Sequence, residues 1–237
     1  MNYRSICIFL MVISFSSAKA AELDPMPAWI EAEINAGVGT LRGYSAEASV
    51  TLSPWSPIYE SGPKVRFNVA QSVYRFRDDP ADATLSKGRD TALDLLVGYG
   101  YHADWWSLLG MVGPTALRSV MRPVDSPFSD TTKFGAKAFV ALDASPSEQT
   151  LFFAQGNYST INNAYFVQAQ FGQAVLPNVF IGPEVSFSRG LEYEQRRVGV
   201  FVFGSFESLL AEISVGYVND RDQGAGAYVR TSVWTTF

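Results

Sequence analysis

The chain has one cysteine and one histidine in 237 residues, and both scarcities exclude chemistry. Cys7 lies in the apolar run at the amino end, so the rest of the chain has no disulfide and no thiolate to use. A lone imidazole, His102, cannot supply a multi-histidine metal centre, and no metal or other cofactor is expected. No run of Lys or Arg exists to track a nucleic-acid backbone, and the formal net charge is −5, so nucleic acid is not a partner. After residue 20 no apolar stretch approaches the roughly 20 residues that a membrane helix needs.

What is present begins with an address. Residues 1–20 carry Arg4, an apolar run from Ile6 to Phe15, and then "SSAKA", in which Ala18 and Ala20 form the small-x-small pattern of a secretory signal. The run is too short to span a bilayer as a helix. Residues 1–20 are therefore expected to be a cleaved signal peptide, and residues 21–237 a single domain.

That domain reads as strands. In "LLAEISVGY" the residues Leu209, Ala211, Ile213, Val215 and Tyr217 share one face, and Glu212, Ser214 and Gly216 share the other. The last segment puts Ala227, Val229, Thr231, Val233 and Phe237 on one face and Tyr228, Arg230 and Trp234 on the other. A turn centred on Arg221 sets Glu212 opposite Arg230. One hairpin earlier, a turn between Gly190 and Leu191 sets Glu184 opposite Arg197.

About 12 strands follow from the same alternation, with 10 as the alternative: 29–38, 43–52, 64–76, 90–101, 105–116, 133–143, 149–158, 164–175, 179–188, 194–204, 208–217 and 225–237. Long connections such as "RFRDDPADATLSKGRD" and "RSVMRPVDSPFSD" fall on one side, and short turns such as "HAD" and "LPN" on the other. The exception is "SPWSPIYESG", which is long where a short turn is expected. An even strand count with this asymmetry is the layout of an antiparallel, up-and-down transmembrane β-barrel in the outer membrane of a Gram-negative bacterium. A soluble sandwich shares the alternation, but not the leader, the loop asymmetry or the terminal aromatic. Phe237 on the lipid face is expected to serve as a carboxy-terminal signal for the outer-membrane insertion machinery.

The lipid-facing set includes Leu93, Leu95, Val97, Phe134, Val140, Val167 and Phe171. The inward set includes Glu31, Glu33, Glu47, Arg66, Asn68, Asp94, Lys137, Gln168, Gln170, Glu184, Arg197, Glu212 and Arg230. Charge pairs among Glu184, Arg197, Glu212 and Arg230 either fill the lumen as a satisfied network or line a solvated pathway. Tyr228 and Trp234 also point inward, where an aromatic can stack on a sugar ring or simply pack. His102, Asp104 and Ser107 are too close in sequence to assemble a triad, and Asp78 with Asp79 reads as a solvated loop. The protein is expected not to be an enzyme.

"IGPEVSF" followed by "EYEQRRVGVFV", with "ALDLLVGYGYH" earlier and "ISVGYVNDRDQGAGAYVRTSVW" later, resembles the proteobacterial cellulose biosynthesis protein BcsS family. The most specific segment is Gly182-Pro183-Glu184 with Tyr193, Arg197 and Gly199 one hairpin on. The resemblance implies an accessory role in cellulose biosynthesis and secretion at the outer membrane, with cellulose and the synthase and export complex as partners. It supplies no reaction. A generic small channel or surface-loop binding barrel is the alternative, and an outer-membrane enzyme a distant one.

Overall fold

The computed structural model describes residues 28–40, 43–76, 86–122, 128–190, 194–206, 209–221 and 223–237. The expected signal peptide and Asp78 with Asp79 lie outside the described residues.

Twelve antiparallel strands close into one barrel: β1 (Ile30–Gly39), β2 (Gly43–Leu52), β3 (Gly62–Phe76), β4 (Ser86–His102), β5 (Trp106–Arg122), β6 (Ser129–Ser147), β7 (Thr150–Ser159), β8 (Ala164–Leu176), β9 (Val179–Arg189), β10 (Glu194–Phe206), β11 (Leu209–Asp220) and β12 (Gly224–Thr236). Each strand pairs with its sequence neighbours, and β1 pairs with β12 from Glu31–Thr236 to Gly39–Tyr228. Closure leaves no edge strand, which is what a sheet surrounded by lipid requires. The ladder continues past β12: the Phe237 N–H donates to the Ile30 carbonyl at 2.9 Å, and its own carbonyl accepts from Trp29 at 2.7 Å.

The alternation resolves into an inverted protein. The large apolar side chains point out, with Phe134 81 % and Ile34 63 % exposed, while buried polar and charged side chains outnumber buried apolar ones. A soluble sandwich would bury the first set and expose the second. The apolar outer surface is instead the lipid contact of a transmembrane barrel. Tyr99, Tyr101 and Tyr165 stand outward toward strand ends, where an aromatic girdle lies.

Two sequence expectations are corrected. The far-side loops are shorter than expected because β4, β5 and β6 run on to Ser86, Arg122 and Ser129. Above the lipid the outward positions need not be apolar, so the hydrophobic pattern stops while the hydrogen-bond ladder continues. Both hairpin registers are also shifted by two residues. Glu184 faces Gly199 rather than Arg197, and Arg230 faces Ser214 rather than Glu212. A two-residue shift preserves the face of every side chain and changes only the partners.

The long turn on the side of the chain ends, residues 53–61, folds against the barrel mouth. The Ile58 N–H donates to the Ala28 carbonyl at 2.7 Å, and the Tyr59 hydroxyl accepts from the Ala28 N–H at 3.1 Å. From inside the barrel Lys64 donates to Ser53 Oγ at 2.7 Å, to the Glu60 carbonyl at 2.9 Å and to the Pro57 carbonyl at 3.2 Å. This side also holds all five tryptophans: Trp29 before β1, Trp55 in the turn, Trp105 and Trp106 at the β4–β5 turn, and Trp234 near the end of β12. Tryptophan gathers where lipid meets water, so one interface runs at this level.

Candidate functional site

The lumen is the place where this fold concentrates polar chemistry. Three carboxylates organise it. Glu184 on β9 accepts from Gln168 Nε2 at 2.8 Å, Gln170 Nε2 at 2.7 Å, Ser214 Oγ at 3.1 Å and Arg230 Nη2 at 2.6 Å through Oε2, and from the Tyr228 hydroxyl at 2.7 Å through Oε1. Arg230 bridges onward to Glu212 Oε1 at 2.6 Å and to Gln168 Oε1 at 2.6 Å. Gln155 joins the cluster by donating to Gln168 Oε1 at 2.9 Å. Every member comes from β7 to β12.

The other half of the wall builds two smaller hubs. Glu33 accepts from Arg66 at 2.5 Å, Asn35 at 2.8 Å and Ser49 at 3.2 Å. Asp94 accepts from Lys137 at 2.6 Å, Thr115 at 2.6 Å and Asn68 at 2.8 Å. The Arg66 guanidinium also lies 5.0 Å over the Phe139 ring.

These contacts decide what the lumen can do. A carboxylate has about four lone-pair sites, and Glu184 already accepts five hydrogen bonds. Four of the five reach Oε2 and one, from Tyr228, reaches Oε1, so the carboxylate is committed to the wall around it. Around it Phe201 is 0 %, Ser214 0 %, Gln168 1 % and Glu184 2 % exposed, and across the lumen Leu96 and Met111 are 2 % and 3 %. Side chains that a water molecule cannot touch do not line an open bore at their level.

Of the expected site residues, Glu184, Glu212 and Arg230 come together, and Arg197 joins differently from the expectation. Arg197 donates to Gln195 at 2.8 Å and stacks 5.4 Å over the Tyr228 ring, so the expected Glu184–Arg197 pair gives way to Glu184–Arg230. Tyr228 is 5 % exposed, its hydroxyl spent on Glu184 and one face covered by Arg197. Trp234 packs on Phe203, with ring centroids 6.3 Å apart, at the tryptophan-rich end. Phe237 is 67 % exposed on the outside. His102 and Ser107 are register partners beside the β4–β5 turn, and the Ser107 hydroxyl serves Asp143 on β6. Among the described residues no group of three His, Cys, Asp or Glu side chains is placed to hold a metal ion.

Sequence reading put Glu33, Arg66, Asp94, Lys137, Gln168 and Gln170 on the inner face but did not pair them. The reason is geometric. Arg66 reaches from β3 over β2 to β1, Lys137 from β6 over β5 to β4, and Arg230 from β12 over two strands to β9. Cross-strand rules treat adjacent strands of a sheet, whereas the concave inside of a closed barrel brings more distant strands within reach of long side chains. The signal that could have found them is the inward phase itself, with opposite charges two or three strands apart.

A closed 12-stranded transmembrane barrel with its lumen bridged by a hydrogen-bonded polar network defines the class: a β-barrel of outer-membrane type. Among solved structures the fold matches the TodX deltaS2S3 mutant monoaromatic hydrocarbon channel at a TM-score of 0.53 and 6% identity, covering 89% of this chain and 90% of that one. The KdgM porin aligns at a TM-score of 0.46 and 11% identity over 87% of this chain and 99% of that one. The translocator domain of the autotransporter NalP from Neisseria meningitidis aligns at 0.48 and 10% over 91% of each. No curated protein matches by sequence. The family model for the cellulose biosynthesis protein BcsS matches residues 40–237, and the chain belongs to that family. It is an outer-membrane-type barrel of cellulose biosynthesis.

Proposed function

We propose that this barrel is a non-conducting, non-catalytic accessory of cellulose secretion, which braces the export apparatus or anchors the emerging glucan at the outer membrane. One observation carries the reading: the side chains bridging the middle of the lumen are hydrogen-bonded to one another, with Glu184, Glu212, Gln168 and Ser214 buried beneath Arg230, which keeps 17 % of its side chain exposed. A glucan chain is far wider than a water molecule, so conduction would require this network to come apart. Breaking it would strand buried charges, at about 3–5 kcal/mol for each pair lost. Family membership supplies the polymer, and the filled lumen argues for bracing over conduction. The non-catalytic part of the reading is supported by Glu33, Asp94, Glu184 and Glu212, whose carboxylates are committed to structural partners.

The test is a strain lacking the gene, scored for total cellulose and for the fraction reaching the surface. Reduced or poorly attached surface cellulose, without polymer trapped in the periplasm, is the expected outcome. Trapped periplasmic polymer would make the barrel a conduit. Unchanged cellulose would remove it from the pathway and leave a general surface barrel.

A further inference from the structure

On the outer surface of β3–β5, at the loop end, five cations crowd together. Arg75, Lys87 and Arg122 are directly opposed in one row across the three strands, Arg89 stands in the row below, and Arg118 follows beneath it. Like charges at directly opposed positions repel. Asp130 answers Arg118 with two hydrogen bonds of 2.7 and 3.0 Å, but among the described residues no carboxylate answers Arg75, Lys87, Arg89 or Arg122. At neighbouring-strand spacing the row of three spans about 10 Å.

Directly below, the lipid-facing wall is dented across β3–β5 and their neighbours β2 and β6. A groove of about 630 Å³ is lined by Phe67, Val69, Leu93, Leu95, Ala116 and Phe134, with Pro114 at its side. Pro114 has no N–H to give β4, and the β4–β5 ladder is unpaired between Asp94–Thr115 and Val97–Val112. Arg118 and Arg89 lie two and four residues along the strands from Ala116 and Leu93, roughly 7 and 13 Å above the groove.

We propose that β3–β5 form a binding site for one phosphorylated lipid of the outer leaflet, its phosphates held by Arg75, Lys87, Arg89 and Arg122 and an acyl chain lying in the groove. A cationic rim stacked on an apolar groove matches an anionic headgroup joined to a hydrocarbon tail. Either feature alone would suit a different ligand. Guanidinium–phosphate pairing is favourable at a membrane surface, and it relieves the repulsion along the row. The loop end faces the outside in this assignment.

The test uses the complete mature barrel in detergent, with bis-phosphorylated lipid A and its dephosphorylated form as probes and adducts counted by native mass spectrometry. A one-to-one adduct with the phosphorylated lipid only is expected. Replacing the row together, Arg75→Gln, Lys87→Gln and Arg122→Gln, should weaken it at least about tenfold. Arg75→Lys with Arg122→Lys, which keeps the charge, should retain most of it. Filling the groove with Ala116→Phe should weaken it independently. Heat-modifiable gel mobility checks that each variant is folded. Equal binding of the dephosphorylated lipid, or no loss in the Gln variant, would overturn the site. So would inorganic phosphate or an acidic oligosaccharide competing as strongly as the lipid while Ala116→Phe has no effect, since that would make the ligand a soluble anion.

Discussion

Glu184 is the residue on which most of the lumen depends. Its five donors come from β8, β11 and β12, so one carboxylate ties together strands that are not neighbours in the wall. Glu184→Ala would leave Arg230 without one of its two acids and Tyr228 without its acceptor. The expected loss of unfolding free energy is about 3–5 kcal/mol, read as a lower urea midpoint by heat-modifiable gel mobility. Replacing Glu184 and Arg230 together by Met should cost clearly less, because no charge is then left unpaired, although Glu212 still loses its partner. Gly199 is the matching small residue: a β-carbon there would collide with the Tyr228 hydroxyl and the Val215 carbonyl. Gly199→Val should therefore push Tyr228 off Glu184 and destabilise the barrel by about 1–3 kcal/mol in the same assay.

Among the elements, two departures from a plain barrel are informative. In β9, Gly182 precedes Pro183, and a β-carbon on Gly182 would run into the Phe171 carbonyl of β8. Gly182→Ala should reduce the fraction of protein reaching the compact, heat-modifiable form, which gel mobility after refolding reads directly. The other departure is the turn of residues 53–61, held by Lys64. Lys64→Met should free it, so chymotrypsin would cut at Trp55 and Tyr59 in the variant well before the parent protein. Twelve strands and the face of each side chain were legible in the sequence, because a period of two survives as long as one face meets lipid. The registers were not, since the turn residues fit centres one position apart equally well, and one position at the centre moves every partner by two. "SPWSPIYESG" could be seen to be long, but not that Lys64, eight residues past Ser56, reaches back to fasten it.

At the scale of the whole molecule the two ends differ. All five tryptophans collect at the end bearing Trp29 and Phe237, and the cations of β3–β5 that no carboxylate answers among the described residues collect at the other. Between them lies a lumen crossed by Glu33–Arg66, Asp94–Lys137 and the Glu184–Arg230–Glu212 cluster. Twelve strands fall between the 8 that side chains fill and the 16 that leave a channel, so strand count did not decide between a plug and a pore. The side chains that bridge the lumen bear on it, and their pairing became legible only in three dimensions. The most direct test of this account is single-channel recording of the purified barrel in planar bilayers. The filled lumen predicts no stable conductance steps above those of protein-free bilayers, whereas large, long-lived openings would contradict it and make the barrel a conduit.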